Sequence, residues 1–226
     1  QRRFGNLFHG GLRNCFKTLR DVRRFMNGLE FGMGMVSKET NGPDFIALEG
    51  IRVFYPLLYD RIRNNKQLFA GGVDAELGEA GADSFKSQMD SLIEGAGLKP
   101  KEITEILVEL FPKLTFAYGR MRYGEEFDST WAKERRIASK RYFDFYFQLA
   151  VPLGEISIEE FNRTLVTAKD AGRLEAKLIE FIDAKKLTYF VELLRSNWES
   201  VSAVQLPQIL RALINVGDNV DHSGSP

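Results

Sequence analysis

Apolar residues recur along this chain at helical rather than strand spacing. From Leu19, the positions Val22, Phe25, Met26 and Leu29 fall on one stripe of an amphipathic helix. Thr18 precedes the stripe as an N-cap, its hydroxyl able to accept from an otherwise unpaired amide. Asp21 sits in the first turn, where the helix dipole favours a carboxylate. Gly32 and Gly34 then weaken the helix. A second helix is expected from Pro43 and Asp44 to Phe54, apolar nearly all round and therefore in the core. Pro56 opens the next piece, and residues 70–83, with four glycines, read as a loop.

Helices resume over residues 84–95 and 100–111. In the latter, Ile103, Ile106, Leu107 and Leu110 give the i, i+3, i+4, i+7 stripe before Pro112 ends the run. Residues 113–130 are ambiguous between loop and a short irregular hairpin. A helix over residues 140–149 is predicted to stop before Pro152. Ser157 and Glu160 have capping-box spacing ahead of Ile158, Phe161 and Leu165. Three further stripes follow. Leu174, Leu178, Phe181 and Ile182 mark the first, and Leu187, Phe190, Val191 and Leu194 the second. Leu206, Ile209, Leu210, Leu213 and Ile214 mark the third, which starts at Pro207. The last ten residues are polar and expected to fray. The fold class that follows is all-α, a multi-helix array without a recurring repeat sequence.

Composition narrows the function classes. The chain is 44% hydrophobic and 27% charged, which suits a globular protein and not a disordered one. Thirty-one basic residues balance thirty-one acidic ones, against a surface built mainly to neutralise phosphates. Cys15 is the single cysteine, so no internal disulfide can form. No apolar run approaches the roughly twenty residues a membrane helix needs. The N-terminal stretch, broken by Gly5, Gly10, Gly11 and Arg13, does not make a secretory signal. A cytoplasmic location is the expectation. The opening on Gln1 predicts that the chain is part of a longer polypeptide.

Catalytic chemistry is sparse. His9 and His222 lie near opposite termini, so with Cys15 they make neither a zinc framework nor a fixed nucleophile–base pair. Glu125, Glu126 and Asp128 are the densest carboxylates, and the reading favoured for them is a solvated acidic turn. The paired glycines at 71–72 and those at 78 and 81 precede no GK[ST], so no phosphate loop is present and the chain alone is not expected to hydrolyse ATP.

Arg20, Arg23, Arg24 and Asn27 lie opposite the first apolar stripe, with Arg13 and Lys17 just upstream, and form the most basic stretch. Guanidinium groups suit phosphate because a planar fork donates two bonds at once. The competing reading is a solvated basic face. Glu49 and Arg52, i and i+3 in an apolar helix, are expected to form an internal pair or a link to the arginine helix. Tyr142, Phe143, Phe145, Tyr146 and Phe147, near Arg135, Arg136, Lys140 and Arg141, read as core first and as a base-stacking surface second.

The stretch FKTLRDVRRFMNGLEF resembles the segment that closes the nucleotide domain in the KAP family of P-loop NTPases. The family pattern is roughly Asn/Thr-Pro-Arg, then Ile/Val-Lys/Arg-Arg and Asn. It matches at Thr18, Arg20, Val22, Arg23, Arg24 and Asn27, with Leu19 in place of the proline. The resemblance continues through residues 44–69 and reappears at 135–161, the aromatic block.

It implies a STAND/AAA-like ATPase whose phosphate loop lies upstream, binding ATP and Mg, with Arg20 as the nucleotide-sensing arginine and Arg23 and Arg24 as alternatives. The chain would divide into residues 1–42, the end of the lid with the arginine helix; 43–165, a helical region with the aromatic block; and 166–226, C-terminal helices and tail. The parent would be a bacterial protein of the phage-exclusion or defence type, this part coupling nucleotide state to a partner protein, an effector or a second copy. The alternative is a non-catalytic module that binds protein or nucleic acid.

Overall fold

The structure, a computed structural model, describes residues 2–73, 79–119 and 121–222. Those residues contain helices and turns and no strand, so the fold is all-α. The chain forms two compact units, Gln1–Ala150 and Val151–Pro226. The division expected at residues 165/166 would run through a helix of the second unit.

The first unit is organised around α3, Gly42–Phe54, after the shorter α1, Arg2–His9, and the long α2, Leu19–Val36. Asn41 caps α3 by accepting from the Asp44 amide, and Pro43 sits in the first turn, where its missing N–H costs nothing. Phe45, Ala47, Leu48, Gly50 and Ile51 are all buried, as the all-round apolar pattern requires. Around α3 pack α1, α2, α4 (Pro56–Asn64) and, C-terminal to them, α7 (Pro100–Leu110). The α7 stripe of Ile103, Ile106, Leu107 and Leu110 is buried as its spacing predicts.

Between α4 and α7 lie α5, Lys66–Phe69, and α6, Glu79–Glu94. The loop expected over residues 70–83 is therefore shorter. Helix already begins at Glu79, ahead of the expected Ser84, and residues 74–78 lie outside the described residues. Among the described residues of 113–130 there is no strand: short helical pieces, among them α8, Thr115–Tyr118, and α9, which starts at Asp128 and ends at Lys133, flank residues 121–124, which belong to no helix, and residue 120 lies outside the described residues. The expected helix over 140–149 is trimmed to α10, Phe143–Gln148, closed by Leu149 in a left-handed conformation (φ 51°).

The second unit comprises α11, Ile158–Thr167; α12, Ala171–Asp183; α13, Leu187–Ser196; and α14, Gln205–His222. Its core joins Phe161, Leu174, Leu178, Phe181, Phe190 and Ile209 from the successive stripes with Leu193, which lies off the stripe expected for α13, while Val191 of that stripe is exposed. Only half of the expected capping box forms. The Glu160 amide donates to Ser157 Oγ at 2.9 Å, while the Glu160 carboxylate turns to Lys177 (3.4 Å) and Lys186 (3.9 Å). The tail expected to fray from residue 217 continues as helix to His222.

Candidate functional site

The arginine helix α2 is built from its cap inward. The Asp21 amide donates to Thr18 Oγ1 at 3.2 Å, and the Thr18 amide donates back to Asp21 Oδ2 at 2.9 Å, a complete capping box. The Lys17 amide also donates to Asp21 Oδ2, at 3.2 Å. The Thr18 hydroxyl first, and the two backbone amides after it, hold the Asp21 carboxyl below its ordinary range.

The helix then runs through Gly32 and Gly34 to Val36, contrary to the weakening expected there. Tertiary contact explains it. Gly28 faces Glu49 and Arg52, and a β-carbon at Gly32 would stand 2.5 Å from Phe45 Cζ. The two glycines, i and i+4, let the α2 backbone lie directly on α3. Glu49 and Arg52 beneath them form the internal pair: Arg52 Nε donates to Glu49 Oε2 at 2.7 Å and Arg52 Nη2 to Oε1 at 2.6 Å. The link from the arginine helix to α3 is made elsewhere, by Arg24 Nη2 donating to the Val53 carbonyl at 3.2 Å.

This seating leaves much of α2 in solvent. Phe25, Gly32 and Val36 are its buried residues. The stripe read from the sequence is not a core stripe: Leu19 is 80% exposed and Met26 50%. The reason is the contact through Gly28 and Gly32, which turns the buried side of the helix away from Leu19 and Met26. Arg20, Arg23 and Arg24 are all exposed. Arg20 and Arg23 make no hydrogen bond or ion pair among the described residues, so of the three Arg24 alone is tethered.

A second polar cluster holds α3 in place, and sequence reasoning did not find it. Asp44, fully buried, accepts from Arg3 Nη2 and from the Ile137 amide at 3.1 Å, and lies 3.5 Å from Arg136 Nε. Burial pushes its carboxyl up, opposed by Arg136 and Arg3. Arg3 Nη1 also donates to Asn41 Oδ1 (3.2 Å), Arg3 Nε to Glu109 Oε1 (3.2 Å), and Arg136 Nη2 to the Glu109 carbonyl (2.6 Å). The Tyr146 hydroxyl accepts from the Asn41 amide at 2.8 Å and donates to the Arg135 carbonyl at 2.7 Å. These bonds satisfy the Asp44 carboxylate and make the cluster a clamp joining α1, α3, α7 and the turn at 135–137, in which the buried Arg135 Nε has no hydrogen-bond partner. The one signal in the sequence was an acid beside Pro43 in an apolar segment.

The other candidates fall into structural roles. Tyr142, Phe143, Phe145, Tyr146 and Phe147 are buried, so the block has no face on which a base could stack. Glu125 accepts from Lys140 Nζ at 2.7 Å, and Asp128 accepts from the Lys140 amide at 2.8 Å. Cys15 is buried and donates to the Tyr55 hydroxyl at 3.4 Å, and burial pushes its thiol up, away from nucleophilic use. His9 packs edge-on against Phe8. Among the described residues no group of three or more His, Cys, Asp or Glu could hold a metal ion, and no helix is long and apolar enough to cross a membrane. In the second unit a shallow groove of about 410 Å3 between α11 and α12 is lined by Arg163, Arg173 and Lys177, with Glu160 and Glu180 interleaved. Both of these carboxylates hold Lys177.

No protein-family model, curated protein or solved structure matches the chain.

Proposed function

We propose that the chain is the helical lid and regulatory region of a KAP-type P-loop ATPase, in which α2 offers Arg20 to the γ-phosphate of ATP held with Mg on the nucleotide-binding core. The observation that carries this reading is the state of Arg20. It stands on the first turn of a fully capped helix, exposed and without a partner among the described residues, while the neighbouring Asp21 is committed to the cap. A guanidinium held in this way needs no internal bond broken before it forks onto phosphate oxygens. Arg23 is equally free, whereas Arg24 would first have to leave the Val53 carbonyl. Loss of the γ-phosphate would remove one end of the contact, and the Gly28–Gly32 seat would pass any displacement of α2 to α3.

The test is ATPase rate and nucleotide affinity of the lid joined to its core, with and without Arg20→Ala. A fall in either supports the assignment. An unchanged rate and affinity sinks it, and turnover by the chain alone would show a catalytic site where this reading has none.

A second reading, a protein-interaction module, is favoured by α14, where Leu210 and Ile214, i and i+4, are exposed on one face. Truncating both to Ala would weaken partner capture without lowering ATPase activity.

A further inference from the structure

The solvent side of α2 carries two stripes along its length. Leu19, Arg23, Met26 and Glu30 follow at i, i+4, i+7 and i+11, and beside them Arg20, Asn27, Phe31 and Gly34 at i, i+7, i+11 and i+14. All eight are exposed, on the side away from the buried Phe25, Gly32 and Val36. Leu19 is 80% exposed and Phe31 65%, and large apolar side chains gathered on a charged face mark an interaction surface. Gly34 is a second sign. Contact with α3 accounts for Gly28 and Gly32, but a β-carbon at Gly34 would meet nothing within 4 Å. Glycine costs a helix interior about 1 kcal/mol relative to alanine, and here it leaves the backbone bare toward open space. Charge defines what approaches. Residues 19–24 hold three arginines and Asp21, which is spent on the cap, whereas residues 25–36 hold Glu30 and no base. Arg23 and Glu30 have no ion-pair partner among the described residues.

We infer that α2 pairs antiparallel with α2 of a second copy of this chain, the two-fold axis passing between Met26 and Asn27. Positions 23 and 30 then stand opposite one another. Arg23 meets Glu30 of the copy and Glu30 meets Arg23 of the copy, so the face is complementary to itself. Met26 and Asn27 each meet their own counterparts across the axis. Arg20 lies over Gly34 of the copy, where the missing side chain makes room for the arginine stem, and its guanidinium reaches the face of the copy's Phe31. A parallel pair would stack arginine on arginine, whereas the antiparallel pair sets the two Arg20 residues about 20 Å apart along the helices. The strip is about 27 Å by 10 Å, well under the roughly 800 Å2 per partner of a standard interface. The dimer is accordingly weak, with a dissociation constant on the order of 100 µM. Pairing does not rest on the lid reading above: it covers Arg20, so a chain paired in this way could not offer that arginine to a nucleotide.

Sedimentation equilibrium of the chain at about 500 µM, above the expected constant, tests the pairing. A dimer is expected, and a monomer at that concentration overturns the proposal. Arg23→Glu alone puts two like-charged pairs into the dimer, and so does Glu30→Lys alone. Each is expected to raise the dissociation constant at least about tenfold. An equal mixture of the two variants recovers both opposite-charge pairs in the mixed dimer and should associate as the unaltered chain does. A mixture as weak as its components overturns the proposal, as does a dimer indifferent to either substitution. Both positions are exposed, so each variant should keep the melting transition of the chain, and recovery in the mixture would itself show that both are folded. The result stands apart from the lid reading, because it is obtained without nucleotide and holds whatever Arg20→Ala does to an ATPase rate.

Discussion

Gly28 of α2 lies so close to Glu49 of α3 that a β-carbon at position 28 would overlap Glu49 Oε1 and stand 2.9 Å from Arg52 Nη2. Glu49 is only 4% exposed and held by two bonds from Arg52, so it has little room to yield. Gly32 meets Phe45 in the same way, whereas Gly34 has nothing within 4 Å. Alanine is worth up to about 1 kcal/mol over glycine inside a helix, while overpacking costs about 1–3 kcal/mol. Gly34→Ala should therefore stabilise the chain, and Gly32→Ala should destabilise it despite the same propensity gain. Urea denaturation of both variants checks the opposite signs. Equal shifts would mean that α2 is not seated through these glycines.

Asp44 is the hub on which Arg3 and Arg136 converge, and the two arginines are not equally buried. Asp44→Ala leaves Arg136 charged and enclosed, a loss of about 3–5 kcal/mol. Arg3→Ala should cost less, because Arg136 and the Ile137 amide still satisfy the carboxylate and the Arg3 side chain is partly in water. Equal losses in the two variants would contradict this ordering.

The α2 cap should be pH dependent in one direction. The folded Asp21 carboxyl lies below its ordinary value of 3.8. Its contribution is thus fully present above that pH and is lost as pH falls through the lower, folded value. Carboxyl carbon shifts of Asp21 in an acid titration should give a midpoint under 3.8. Asparagine at position 18 retains a capping oxygen but not the threonine hydroxyl, so Thr18→Asn should bring the midpoint upward. A midpoint at or above the ordinary value in the unaltered chain would mean that the box is not formed.

The arginines of α2 should separate by stability. Arg20→Ala and Arg23→Ala remove no internal contact and are expected to change stability by no more than about 0.5 kcal/mol. Arg24→Ala forfeits the bond to the Val53 carbonyl and should cost about 1 kcal/mol. Thermal melts of the three variants give the comparison. A large loss at Arg20 would place it in the fold and not on a docking surface.

Tyr146→Phe should be felt well beyond α10, since the hydroxyl joins Asn41, which caps α3, to the carbonyl of Arg135. Losing one such bond costs about 1 kcal/mol. The Asn41 amide keeps its second bond, to the Arg135 carbonyl at 3.1 Å, so thermal melts give the cleaner readout, and an unchanged melting temperature in the variant would mean that the hydroxyl bonds are not formed in solution.

Much of this molecule was legible in its sequence. Local signals acting over three or four residues sufficed: the Thr18 and Ser157 caps, the prolines at 43, 56 and 100, and the stripes of α7, α11 and α12 became what their spacing predicts, while α13 buries Leu193 in place of Val191. The three arginines of the site also stand together on α2, because side chains three or four residues apart share a helix face whatever else the chain does.

What periodicity could not say was which side of a helix meets a neighbour. Leu19 and Met26 have the pattern of core residues and lie in solvent, because the glycines at 28 and 32 allow a closer approach on another side. Nor could spacing foresee that Arg3, Asp44 and Arg136, up to 133 residues apart, would meet at one buried carboxylate. The chain alone determined most of the longer helices, the Thr18 and Ser157 caps and the place of the basic stretch of α2, since these depend on neighbours within a turn. The tertiary structure decided burial, the Asp44 clamp and which guanidinium groups stay free, since these depend on surfaces that folding brings together from distant parts of the chain.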